Sequence, residues 1–218
     1  MKKLTDTQLA RAAWAGIIGP ALFVTVFLVE GFLRPGYNPL SMYVSALSLG
    51  PRGWVQIANF LQFGLLLFLF TRGIGSVFQS GKAARGGVIL LTIIAICYFL
   101  SGPFVMDPDG TPRELMTVHG TIHGMLGALA FLLMPISIFV YWRRFVSDPD
   151  WAGMRGWSLG LGIISAIGLV VLSVTSKSPQ MQSAFASWFG LFQRTLIIPF
   201  MVWVFIFALM MLRKAQAR

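Results

Sequence analysis

Two histidines are the whole imidazole complement of this chain, and both fall in one run, V-H-G-T-I-H-G-M-L at 118–126, as His119 and His123. A spacing of four puts both rings on one face of a helix, one turn apart. Such a pair can chelate a zinc ion, with Asp107 or Glu114 adding an oxygen ligand and a position left for water. The spacing is that of the zincin helix, but Gly120 stands where the glutamate of H-E-x-x-H would act as base. A three-imidazole site is excluded, and two rings on one helix cannot ligate opposite faces of a haem. A second chemistry is acyl transfer or lipid hydrolysis, with Ser41 or Ser45 as nucleophile, a histidine as base and Asp107 as orienting carboxylate. No G-x-S-x-G elbow accompanies it. The third is recognition without reaction. Here Glu30, Arg34, Tyr37, Ser45, Asp107, His119, His123 and Arg194 tie helix ends together or line a pocket for a small molecule, ion or lipid headgroup.

These side chains must be positioned by elements of an unusual composition. Hydrophobic residues make up 56% of the 218, charged residues 11%, and the mean hydropathy is +0.77. A soluble domain of this length needs more charge to cover its surface. The apolar residues come in blocks of membrane-spanning length with short polar breaks, which predicts an all-α, polytopic membrane protein in one domain, 1–218. The net charge of +10 does not indicate a nucleic-acid partner, because the basic residues gather at helix ends. Cys97, the single cysteine, lies in an apolar run and reads as a buried structural thiol.

Six spans are expected, roughly Arg11–Leu33, Trp54–Gly75, Ala84–Val105, Leu115–Trp142, Trp151–Thr175 and Ala184–Leu212, separated by proline and glycine punctuation. The first is too long for a signal-peptide core and reads as an uncleaved helix. Of the 17 basic residues, only Arg34, Arg52, Arg113, Lys177 and Arg194 fall on the side of the odd-numbered loops. Lys2, Lys3, Arg11, Arg72, Lys82, Arg218 and the rest fall on the other. The positive-inside rule therefore places both termini in the cytoplasm and the protein in the cell membrane, with the bilayer as its first partner. Trp14, Trp142, Trp151 and Trp157 at the inner ends, and Trp54 and Trp188 at the outer ends, make an aromatic belt.

The polar residues with chemical potential lie almost entirely at the outer ends. Glu30, His123 and Arg194 sit within or at the edge of apolar segments, where an ionisable group faces the bundle and pairs. Arg194 requires a carboxylate or carbonyl partner, and by depth the candidate carboxylates are Glu30 and Asp107. In the first outer loop, Asn38-Pro39 resembles a helix start. Leu40, Tyr43, Val44 and Leu47 then follow at i, i+3, i+4 and i+7, with Ser41, Ser45 and Ser48 on another face. That pattern predicts a short amphipathic helix lying along the outer interface.

The runs R-P-G-Y-N-P-L-S-M-Y-V-S-A-L-S-L-G-P-R-G-W, F-V-M-D-P, H-G-T-I-H and G-L-F-Q-R resemble an integral-membrane family of bacteria and archaea catalogued as domain of unknown function 998. The resemblance covers nearly the whole chain. It implies a six-span topology, points to Arg34, Tyr37, Ser45, Asp107, His123 and Arg194, and implies no activity. A looser likeness links the chain to the Ser–Asp–His membrane hydrolases that include alkaline ceramidases, which use three histidines on seven helices.

Three function classes follow: a binding or sensing module with an outward-facing polar pocket; a metal-dependent or serine-type membrane hydrolase; and a scaffold or accessory subunit of a membrane complex. No cofactor is firmly implied, zinc being the candidate. A transporter fits less well, since transporter sites lie near the midplane on broken helices and these groups stay in the outer third.

Overall fold

The computed structural model describes residues 4–79 and 81–216; Lys2, Lys3 and Arg218 lie outside the described residues. Among these the regular structure is entirely helical. The long helices are α1 (Asp6–Leu33), α2 (Gly53–Val77), α3 (Lys82–Leu100), α4 (Val118–Val146), α5 (Met154–Thr175) and α7 (Phe189–Gln216), with a short α6 (Pro179–Phe185) before the last. Caps fix the starts. Thr5 and Gln8 make a reciprocal capping box at α1, and Thr117 and Ser178 each accept a backbone N–H at the starts of α4 and α6. Prolines 20, 135 and 199 lie inside helices. A bundle tolerates them because neighbouring groups take up the freed carbonyls.

Five helical stretches are long and apolar enough to cross a membrane: Asp6–Leu33, Gly53–Val77, Val118–Val146, Met154–Thr175 and Pro179–Gln216. The expected third span, to Val105, is shorter. Its apolar part is Ala84–Leu100, and the helix stops where the Ser101 hydroxyl donates back to the Cys97 carbonyl. The flanks of the bundle carry Ile18, Leu22, Ile89, Ile163, Ile167 and Val170 exposed. Water would not tolerate that surface and lipid accepts it.

The six long helices pack in a closed ring, in the order α1, α2, α3, α4, α5, α7 and back to α1. One end, called the base, gathers the start of α1 and the finish of α7. There Leu4 N–H donates to Ser76 Oγ at 2.8 Å, joining the start of α1 to the end of α2. An aromatic cluster fills the ring from its middle to the base. Phe207 lies 5.3 Å from Tyr141, 5.1 Å from Phe145 and 5.4 Å from Trp151, ring centre to ring centre. Trp203 is fully buried and donates to Ser158 Oγ at 2.9 Å. A side chain at Gly87 would run into the Tyr141 ring, so glycine there lets α3 close on α4. Trp151, expected in the interfacial belt, belongs instead to this core and is 3% exposed. Trp14, Trp54, Trp157 and Trp188 are exposed, as a belt requires.

The opposite end, the head, holds the connections α1–α2 and α3–α4. The amphipathic helix expected over 38–50 is absent as an α-helix. Asn38 starts a turn by accepting the Leu40 N–H, and a five-residue 3-10 helix, Val44–Ser48, follows with all five residues buried. Its apolar side chains face protein, so the segment is a tucked-in plug and not a surface helix.

Candidate functional site

The α1–α2 connection is stitched to the start of α7. Arg194, 8% exposed on α7, donates through Nη1 to the carbonyls of Met42 (3.0 Å) and Gly190 (2.8 Å), and through Nη2 to the Tyr37 hydroxyl (2.5 Å). Its guanidinium also lies 5.7 Å from the Phe27 ring centre and 5.8 Å from that of Tyr37, within cation–π reach. The Tyr37 hydroxyl donates in turn to the Tyr43 carbonyl at 3.0 Å. Gln193 Oε1 accepts the Val44 N–H at 2.7 Å, and Leu191 N–H donates to the Leu40 carbonyl. Any side chain at Gly190 would strike the carbonyls of Met42 and Pro39, so the loop can lie there only against glycine. Arg34 donates to the Ala46 carbonyl. Arg194 thus directs its two terminal nitrogens to carbonyls and a phenol, while its buried Nε has no hydrogen-bond partner. Of the two candidate carboxylates, Glu30 pairs instead with Arg52, at 2.5 and 3.1 Å, and Asp107 with Thr117.

A second set of contacts anchors the α3–α4 connection. Asp107 accepts both the N–H (2.9 Å) and the hydroxyl (2.8 Å) of Thr117, placing an anion at the start of α4, where the helix dipole favours it. A Cβ on Gly120 would overlap that carboxylate. His123, buried, presents Nδ1 to the Phe104 carbonyl at 2.7 Å. A carbonyl only accepts, so Nδ1 carries a proton. His119 is exposed and packs its ring edge-on against Phe104, 5.4 Å between centres. The two imidazoles therefore grip one loop residue, His123 by its backbone and His119 by its ring. Among the described residues no group of three or more His, Cys, Asp or Glu side chains stands close enough to hold a metal. A serine triad lacks its hydrogen bonds here, since the His123 Nδ1 faces a backbone carbonyl and the Asp107 oxygens are held by Thr117.

Between these two anchored loops and helices α4, α5 and α7 lies a cavity of about 470 Å³, within the range of roughly 300–1,000 Å³ typical of small-molecule sites. Its wall is mostly apolar: Phe23, Phe60, Tyr98, Phe131, Leu172 and Ile197. Polar groups reach it from Ser45, Asp107, Asp109, His123 and Gln193. Of the residues singled out by sequence, the structure therefore brings Ser45, Asp107 and His123 to one cavity. Glu30, Arg34, Tyr37, His119 and Arg194 are not in its wall; the first three and Arg194 build the loop beside it. One side is bare helix. Gly124 and Gly127 line the cavity, and a Cβ at either would meet nothing within 4 Å.

Tyr43, Tyr98, Asp109 and the glycine face of α4 escaped sequence reasoning as site residues. The spacing G-x-x-x-G-x-x-G from Gly120 was a usable signal, since it marks one helix face, but such a face usually signals close helix packing. Outside the spans, partial desolvation beside the cavity wall holds the Asp109 carboxyl above the usual carboxylate range, although the residue itself is exposed. Burial, reinforced by the nearby Asp109 charge, pushes the Tyr43 phenol up to about 12.

No curated protein and no solved structure matches the chain. The family model described as protein of unknown function (DUF998) matches residues 17–210. Helices α2 to α6, most of α1 and α7, and the stitched first loop sit within that matched span, and the chain belongs to the DUF998 family.

Proposed function

We propose that this chain is a six-span protein of the cell membrane with both termini in the cytoplasm, and that the cavity at its head binds a small, largely apolar molecule from the outer side. The basic residues at the base support the orientation. The observation that carries the binding reading is the empty space over Gly124 and Gly127. Mid-helix glycine costs about 1 kcal/mol relative to alanine in a water-exposed helix, and a membrane helix recovers that by close packing. Here no helix takes up the space, so the glycines make room for a guest. Water is a poor occupant. A volume of about 470 Å³ would hold on the order of fifteen waters at ~30 Å³ each, and a mostly apolar wall offers them few partners.

The test is photo-crosslinking of a neutral dodecyl alcohol carrying a diazirine to the protein in phosphatidylcholine nanodiscs. Cross-links on peptides of α4, α5 and α7 that line the cavity, lost in the Gly124→Leu, Gly127→Leu double variant, are the expected result. Labelling confined to lipid-facing residues, unchanged in that variant, overturns the reading.

A further inference from the structure

The geometry points to an ammonium group on an apolar body as the guest of this cavity, with Asp109 as its counter-charge and the aromatic wall as its seat. The inference rests on the binding reading above and adds the sign of the head group.

The first support is the distribution of charge. The chain carries 17 lysines and arginines against 7 acidic residues, yet the only charged side chains in the cavity wall are Asp107 and Asp109. Of the outer-side cations, Arg34 is engaged with the Ala46 carbonyl, Arg52 with Glu30, and Arg194 with Met42, Gly190 and Tyr37, and among the described residues no lysine or arginine lines the cavity. A carboxylate or phosphate guest seated against that wall would meet no cation in it.

The second support is the set of groups left without a partner. Both Asp107 oxygens accept from Thr117. Asp109, exposed at the mouth of the cavity, has no hydrogen bond or ion pair among the described residues, and it lines the same space as Tyr43. Tyr98, 4% exposed and part of the wall, has a hydroxyl with no hydrogen-bond partner. A buried hydroxyl left unpaired is costly, and a guest that donates would satisfy its lone pairs. The Asp109 carboxylate and the Tyr98 hydroxyl oxygen can together accept from a donor.

The third support is the aromatic character of the wall. Phe23, Phe60, Tyr98, Phe131 and Tyr43 line the space. The negative faces of such rings attract a desolvated ammonium and repel an anion. An alkyl body would lie along Leu172, Ile197 and the bare face of α4.

Three diazirine-bearing dodecyl probes that differ only in the head, ammonium, alcohol and carboxylate, separate the claims in phosphatidylcholine nanodiscs at pH 7. The ammonium should label cavity peptides about ten-fold more than the carboxylate, the sum of a counter-ion and ring faces. Asp109→Asn, a change at an exposed loop position, should cut ammonium labelling about five-fold and alcohol labelling by less than about two-fold. Equal labelling by all three heads, or ammonium labelling indifferent to Asp109→Asn, overturns the inference while the cavity stands. Labelling of the wall by none of them removes the binding reading and this inference with it. A photoreactive lysophosphatidylethanolamine, whose phosphate meets no basic residue in the wall, should label less than the free amine. Stronger labelling by that lipid would overturn a free amine as the guest.

Discussion

The base and the head of this bundle are built from the same six helices and solve opposite problems. At the base the ring closes over Tyr141, Phe145, Trp151 and Phe207, and Gly87 is there so that an aromatic ring can press against backbone. At the head the ring opens. Gly124 and Gly127 face space, and the polar residues are engaged at the margins, holding two loops in place around the gap. Glycine therefore has two roles here, close approach at Gly87 of α3 and Gly120 of α4, and vacancy at Gly124 and Gly127 of α4. Buried charge at the head secures the walls of a space, whereas buried aromatics at the base fill one.

That contrast can be broken from either end. The largest effect is expected at the base, where Trp203→Ala removes a fully buried ring and its bond to Ser158. The loss should be about 3–5 kcal/mol, read as a lowered melting temperature in detergent, while the fraction that remains folded still takes the alcohol probe. Next comes Arg194→Met, which strips the donors from Met42, Gly190 and Tyr37. A loss of about 2–3 kcal/mol is expected for charged hydrogen bonds of this kind. Limited proteolysis should then cut within 34–50 and spare that segment in the wild type. The Gly124→Leu, Gly127→Leu variant should be at least as stable as wild type, because leucine favours helix by up to about 1 kcal/mol per site, even though it fills the cavity. The smallest effect is expected at His119→Ala, an exposed ring on Phe104, which should change stability by less than about 0.5 kcal/mol.

Much of this was legible in the sequence, for reasons that differ by feature. Helix positions followed from apolar blocks and their punctuation, since those depend on the chain alone. The apolar run carries the expected end of α3 five residues too far, because Phe104 and Val105 look apolar enough to continue a helix that the Ser101 cap and Pro103 end. The first loop was recognisable as special, and Arg194 as needing a partner. Which partner it takes depends on where Tyr37 and the Met42 carbonyl arrive, and that is a tertiary fact. The serines of 41–48 suggested a polar helix face because their spacing fits one; burial of Ser45 and Ser48 in the 3-10 turn reversed it. The histidine pair suggested shared chemistry, whereas the fold uses the two rings on one loop residue. A glycine stripe reads identically whether another helix fills it or nothing does. For that reason the cavity itself could not be read from the sequence.

Thiol accessibility distinguishes the wall of the head cavity from the packed aromatic core directly. In a Cys97→Ala background, Leu172→Cys places a thiol on a residue that is 8% exposed and lines the cavity, and Ala208→Cys places one at a position 0% exposed in the packed core. The account predicts that a small methanethiosulfonate reagent modifies the first in the folded protein, that dodecylammonium slows it, and that the second reacts only on unfolding. Equal resistance of the two positions in the folded protein would contradict it.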